Sequence, residues 1–210
     1  MGRYTGPVCR RCRREGIKLM LKGTRCETAK CPMERQWRSS PPGQHSWRRS
    51  RGSEYRLRLR EKQKVKRYYG VFERQFMRYF QRAERQKGNT GAALLSLLER
   101  RLDNVFCKLG FAPSRASARQ TINHGHVHVN GRAVSVASYL VKVGDKITIK
   151  DCERSKKYVR VWLEELGEPH LQNWLKLDLT KLEAEVLAVP TREDVQIPVE
   201  EQLIVELCGQ

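Results

Sequence analysis

The sequence predicts an α+β protein in three parts: a metal-bound N-terminal cysteine knuckle, a basic helical segment, and a small module in which a helix feeds a strand. Three observations predict it. Four of the seven cysteines fall near the N-terminus as two close pairs. The positive charge is one-sided: residues 1–90 hold 26 Lys and Arg against seven Asp and Glu, residues 91–210 hold 16 of each, and the whole net charge of +19 therefore sits in the first part. Between Phe111 and Gly131 the apolar spacing also changes from a helical period to a period of two.

Cys9, Cys12, Cys26 and Cys31 make a C-x2-C-x13-C-x4-C pattern. Two tight pairs joined by a loop can set four thiolates at the corners of a tetrahedron, as a closed structural zinc site requires. The segment has too few apolar residues for a core, so metal would supply most of its folding free energy, on the order of 10 kcal/mol. Flanking arginines and lysines are expected to favour the thiolate. Zn2+ is the first expectation; an iron–sulfur cluster on the same four cysteines is the alternative, since Pro32 follows the last of them. No catalytic role is expected, because the protein fills every ligand position. Cys107, Cys152 and Cys208 are isolated thiols. Residues 39–45, SSPPGQH, form a turn-rich linker.

Next come Arg48, Arg49 and Arg51, and then two helices separated by Gly70. Tyr55, Leu59, Phe72, Phe76 and Phe80 are expected to form their buried stripe. Around it Arg56, Arg60, Lys62, Lys64, Lys66 and Arg67 make a dense cationic face interleaved with Tyr68 and Tyr69. Solvated faces carry both signs of charge, and this one is heavily one-sided, which points to a phosphate backbone. A membrane surface is the competing polyanion. The basic run has no long apolar face, however, and the leucine-rich patch from Ala92 to Leu98 is far too short to span a bilayer.

Asn89 and Thr90 can cap a helix running from about Gly91 to Leu109, with a leucine stripe facing the core. Pro113 then stops the chain, Ser114 is the N-cap of a short helix, and Gly125 ends it. Val127 and Val129 alternate with His126, His128 and Asn130 as a half-buried strand, and Asn130-Gly131 supplies a type I′ turn. After Ser138 to Val143 and a Gly144-Asp145 turn, Lys146 to Lys150 is a second strand. A second metal site on the histidine row is set aside, because an open row on a strand fixes no tetrahedral geometry. From Tyr158 onward the pattern reads as short strand-like pieces, and Leu203 to Leu207 suits strand or helix equally.

The stretch FAPSRASARQTINHGHVHVNG, with Leu102-Asp103-Asn104 before it and Val143-Gly144-Asp145 after it, resembles the small RNA-binding module shared by bacterial ribosomal protein four, some pseudouridine synthases and some tyrosyl-tRNA synthetases. The likeness covers roughly residues 99–149. A narrower one comes from Pro41-Pro42-Gly43-Gln44-His45, Ser53-Glu54-Tyr55, Glu61-Lys62-Gln63-Lys64, and Tyr69-Gly70-Val71 to Gln75-Phe76. These are similar to the bacterial-type small-subunit ribosomal protein four family. Ser46 stands where that family usually has glycine, and Ala137 where proline is common.

The resemblance implies that Ser114, Arg115, Arg119, His124, His126, Asn130 and Arg132 contact RNA, joining Arg48, Arg49, Arg51, Arg56, Lys62, Lys64, Lys66, Arg67 and Tyr69 of the basic segment. The cysteine spacing and the charge run divide the first part into a knuckle and linker over 1–45, a knuckle found in some members of that family and not in others, and a basic helical domain over 46–90, which the resemblance implies is completed by a returning tail over 176–210. The RNA-binding module would then run over 91–175 with its core at 99–150. The implied partners are the 5′ domain of small-subunit rRNA and ribosomal protein five, near the mRNA entry channel. Early assembly and an influence on decoding accuracy are implied as well.

Other function classes fit less well. An RNA-modifying or regulatory protein could carry the same module, but about sixty residues remain unassigned, with no nucleophile elbow, phosphate loop or acid pair. A zinc-dependent DNA regulator lacks a reading helix and a dimerising heptad. No apolar secretory segment follows Met1, so a cytoplasmic chain with no membrane contact is expected, and the resemblance implies that it is ribosome-bound.

Overall fold

The computed structural model describes residues 2–45, 52–167, 169 and 171–209. They form an α+β chain of two compact units, residues 1–94 with 196–210, and residues 95–195.

In the first unit, α1 (Cys9–Glu15) ends at Gly16, which takes the left-handed conformation at φ 72°. Two 3-10 turns follow, Gly23–Cys26 and Gln36–Arg38. Helix α2 (Glu54–Tyr68) starts where the Ser53 hydroxyl accepts from the Arg56 N–H, and Gly70 turns the chain at φ 64° into α3 (Glu73–Glu84). Helix α3 buries Phe76, Tyr79, Phe80 and Ala83, the spacing of one helical face. Full burial of the two phenylalanines stabilises the unit by about 1.5–3 kcal/mol each. The stripe is shorter than expected, because Tyr55 and Phe72 are 62% and 46% exposed.

The C-terminal segment Leu203 to Leu207 lies within a helix, α8 (Glu201–Cys208), which packs against α2 through its buried Ile204. Arg58 bonds Glu206 at 2.8 Å along that contact. The returning tail begins at Gln196, later than the expected 176. Leu175, Leu177, Ala184 and Val186 have the period of paired strands, and those strands complete the sheet of the second unit.

Helix α4 (Thr90–Glu99) carries the chain across the unit boundary, its start capped by Asn89 Oδ1. The single long helix expected over 91–109 is broken: after α4, Arg101 turns extended and α5 (Leu102–Lys108) begins. The break is tertiary in origin. Leu102 and Asp103 donate their N–H groups to the carbonyls of Tyr139 and Ala137, while the fully buried Arg101 guanidinium grips Asp103 at 3.0 and 2.5 Å.

Helix α6 (Arg115–Asn123) follows, then β1 (Val127–Val129), β2 (Arg132–Ala133) and β3 (Lys146–Ile149). Asn130 and Gly131, at φ 50° and 76°, make the expected tight turn. Residues 153–166 form a helix, α7 (Glu153–Leu166), where strand-like pieces were expected from Tyr158. Strands β4 (Leu175–Asp178) and β5 (Glu183–Val186) complete an antiparallel sheet of order β2-β1-β3-β5-β4. One continuous core joins Phe106, Phe111, Ile122, Val127, Ile147 and Trp174. Among the described residues, no helix is long and apolar enough to cross a membrane.

Candidate nucleic-acid interface

In the second unit the candidate surface is built outward from α6. The hydroxyl of Ser114, 8% exposed, accepts from the Ser117 N–H and so caps the helix. Arg115, at the first helical position, is half-buried and held from beneath: its Nε donates to Asn104 Oδ1 at 2.7 Å. Asn104 is itself fully buried and donates to the Glu99 carbonyl at 2.9 Å and carboxylate at 2.6 Å. Lys108 closes the chain of contacts with a 2.6 Å ion pair to the same carboxylate. Lys108 Nζ also donates to Gln172 Oε1 at 2.5 Å and to the Asp194 carbonyl at 3.0 Å. One half-buried guanidinium thus rests on a hydrogen-bonded polar network that fixes its orientation.

On the strand side, His124 is exposed and His126 half-buried, their rings stacked with centroids 6.2 Å apart. His126 Nδ1 shares a 2.9 Å hydrogen bond with Ser155 of α7. Burial first, then His124, Lys150 and Arg154 nearby, hold its imidazole below the ordinary histidine range. Lys150, Arg154 and Arg132 are exposed. Tyr158 of α7 meets Ser117 of α6 at 3.0 Å. Helix α7 therefore borders this surface and adds Tyr158, which reading by strand propensity had missed, and Arg154, which lies before the strand-like stretch and had been given no role. The signal was available in the helical spacing of Ser155, Val159 and Trp162-Leu163.

Like Ser114, two more of the expected contact residues are engaged internally. Arg119 is 8% exposed, on the buried side of α6. Asn130 closes the hairpin, donating to Asp145 at 2.8 Å and accepting from the Lys146 N–H at 2.9 Å.

The expected cationic face of α2 is likewise less open than its sequence suggests. Lys62 pairs with Glu73 at 2.6 Å and Lys64 with Glu61 at 2.5 Å, while Lys66 and Arg67 contact Glu73 and Glu15. The side chains of Lys62, Lys64 and Lys66 are only 11–14% exposed. Arg56 is exposed. Tyr69 is 1% exposed and packs edge-on against Tyr68 at 4.9 Å, so its ring belongs to the core and is not offered to a base. Arg48, Arg49 and Arg51 lie outside the described residues.

The four N-terminal cysteines line one small hollow of about 10 Å³, roofed by Val8, Leu21, Pro32 and Met33, the scale of a single water-sized sphere. The Lys22 N–H points at Cys26 Sγ, 3.3 Å away. Burial pushes the Cys12 and Cys26 thiols up, opposite to the expected effect of the flanking basic residues, most of which project into solvent. Among the described residues, no three His, Cys, Asp or Glu side chains stand together as a metal-holding group.

Residues 3–99 match the model of the ribosomal protein S4/S9 N-terminal domain, and residues 100–147 match that of the S4 domain. The chain is 56% identical to small ribosomal subunit protein uS4 of Halothermothrix orenii and 52% identical to uS4A of Symbiobacterium thermophilum, each over the full length of both proteins. It is also 52% identical, again over both full lengths, to uS4 of Thermus thermophilus.

Proposed function

We propose, because this chain belongs to the family of small ribosomal subunit protein uS4, that it is a structural constituent of the bacterial small ribosomal subunit and binds its RNA. One observation carries the reading: both domain models match in order, within relatives that the chain covers end to end. The chain acts on the ribosome in the cytoplasm as scaffold and not as catalyst. Its first unit neutralises converging phosphates, and its second reads helix shape and a few unpaired bases through Arg115, His124, His126 and Arg132. RNA in the 5′ domain is thereby held early in assembly, beside ribosomal protein five and near the mRNA entry channel. Decoding accuracy depends on that geometry.

A structural Zn2+ on Cys9, Cys12, Cys26 and Cys31 belongs to the same proposal. It is supported by the shared hollow, the backbone N–H aimed at sulfur, and a segment with few buried apolar residues beyond Leu19. Binding would draw the four sulfurs together and displace their protons, so that metal affinity and local folding are coupled.

The test is filter binding of the whole chain to a 5′-domain rRNA transcript at several salt concentrations. Arg115→Ala is expected to weaken binding about tenfold or more, the contribution of a charge-assisted contact. Replacing the exposed Lys181 with alanine serves as the control. Equal losses from the two variants would overturn the reading of the second unit.

A further inference from the structure

Phe72 fell outside both the core and the interface described above, and its surroundings are unusual. It stands at the N-cap of α3 with 46% of its surface exposed, on the wall of a pocket of about 270 Å³ within the first unit. Arg10, Arg11, Arg14, Lys66 and Arg67 converge on that pocket. Its remaining walls are Tyr4, Pro42, Gln63 and Val71, and among the described residues no carboxylate lines it.

The charges around it are poorly compensated. Glu73 is shared between Lys62 and Lys66. Glu15 contacts both Arg60 and Arg67 and is also the carboxylate that feels Lys64 and Arg14. Burial lowers the Arg11 guanidinium from its ordinary value, and nearby Arg67 adds to the lowering. Such a concentration of charge needs an anion. A bare anion, however, has no use for the exposed ring. Tyr4 is already covered by Arg11, whose guanidinium carbon lies 3.6 Å from the ring centre, and Gly2 borders one edge of Phe72, which leaves the remaining, 46% exposed surface of Phe72 as the aromatic surface on offer. The volume lies below the range at which pockets for drug-sized ligands begin and suits one flat base with its phosphates.

We propose that this pocket takes a single unstacked RNA nucleotide, its base laid on Phe72 and its flanking phosphates held by Arg10, Arg14 and Arg67. Gln63, an amide with both donor and acceptor, faces the base edge. The proposal rests on the ribosomal reading above and deepens it: the first unit does more than neutralise phosphate, since it fixes RNA register by capturing one base pulled out of its stack.

The whole chain, purified with whatever metal it carries, is titrated with the 5′-domain rRNA transcript, and the complex is cross-linked with ultraviolet light. Phe72→Ala is expected to weaken binding about five- to 140-fold, which is the contribution of base–aromatic stacking converted at tenfold per 1.4 kcal/mol. Phe72→Tyr is expected to restore binding to near the wild-type value. The wild-type cross-link is expected to join one nucleotide to the peptide bearing Tyr4 or Phe72. Circular dichroism of each variant separates lost binding from lost folding, and neither change removes a capping bond from α3. The pocket reading is overturned if the wild type binds and Phe72→Ala, folded, binds equally well. It is also overturned if free ADP occupies the pocket at micromolar concentration and rRNA fails to displace it. Failure of the wild type itself to bind the transcript would instead bring down the ribosomal reading.

Discussion

Replacing Asn104 with alanine tests whether the buried network under Arg115 does what its geometry implies. Three hydrogen bonds go: to the Glu99 carbonyl at 2.9 Å, to the Glu99 carboxylate at 2.6 Å, and from Arg115 Nε at 2.7 Å. The first joins neutral groups and contributes roughly 0.5–1.5 kcal/mol, whereas each bond to a charged group contributes roughly 1.5–3 kcal/mol. Arg115 is half-exposed and can turn to water, so its share falls to the low end. Glu99 keeps Lys108 but loses a donor in a fully buried site. The expected cost is about 3–5 kcal/mol, a large part of the roughly 5–15 kcal/mol that holds a typical domain. In thermal unfolding this lowers the midpoint by at least about 12 °C for a unit of this size. Urea titration gives the free energy directly. Binding to the rRNA transcript, measured cold enough for the variant to stay folded, then asks whether the loosened Arg115 binds less well. A cost under about 1 kcal/mol would refute the stabilising role. An affinity equal to that of the wild type, with Arg115→Ala still defective, would refute the positioning role.

Ser114→Ala is expected to lower stability by about 1 kcal/mol, the loss of an N-cap. It should change RNA affinity far less than Arg115→Ala, because the hydroxyl is occupied by the Ser117 N–H; denaturant melts and filter binding run side by side decide it. His126 is held below the ordinary histidine range and is neutral at pH 7. In the folded chain it gains a proton only at a pH below the ordinary histidine value of about 6.5, and RNA affinity is expected to rise there, while His126→Gln flattens the rise; binding isotherms from about pH 7.5 down to about 5 measure both. The unfolded chain binds more protons in that window, so the stability of the second unit should fall as pH falls. Removing metal with a chelator should open residues 1–45 to proteolysis and leave the second unit's melting unchanged. One equivalent of zinc in colourless protein supports the knuckle, brown protein with several irons assigns the same cysteines to a cluster, and continued protection after chelation refutes a structural metal.

The features legible in the sequence are those with a local cause. The Ser114 cap, the left-handed Gly70 and Gly125, and the Asn130-Gly131 turn each depend on a few neighbouring residues, and each lies where its chemistry requires. The break between α4 and α5 was not legible. Its cause is a bridge from Arg101 to Leu140 and backbone bonds to Tyr139 and Ala137, none of which is visible within one helical window. Helix α7 was misread because Tyr158, Val159, Val161 and Trp162 have high strand propensity, yet the buried Val159 and the contacts of Ser155 and Tyr158 secure a helical face.

The cations of α2 teach the sharper lesson. Counting charge along residues 56–67 finds an excess, but it does not find where the few carboxylates go. Glu15 is 52 residues from Arg67 in the chain and still contacts it, and Glu73 folds back on both Lys62 and Lys66. Those pairs hold the lysine heads against the helix, and the lysine stems cover its flank. Exposed positive charge is therefore found on α1 as well, where Arg10 and Arg14 project beside Phe72. A one-sided composition therefore predicts that a polyanion binds, and the distribution of a handful of acidic side chains decides where. Salt is expected to weaken the binding of Lys62→Met and of the wild type with nearly the same slope. Arg10→Ala should reduce that slope by about the 0.7–0.9 of one released counterion.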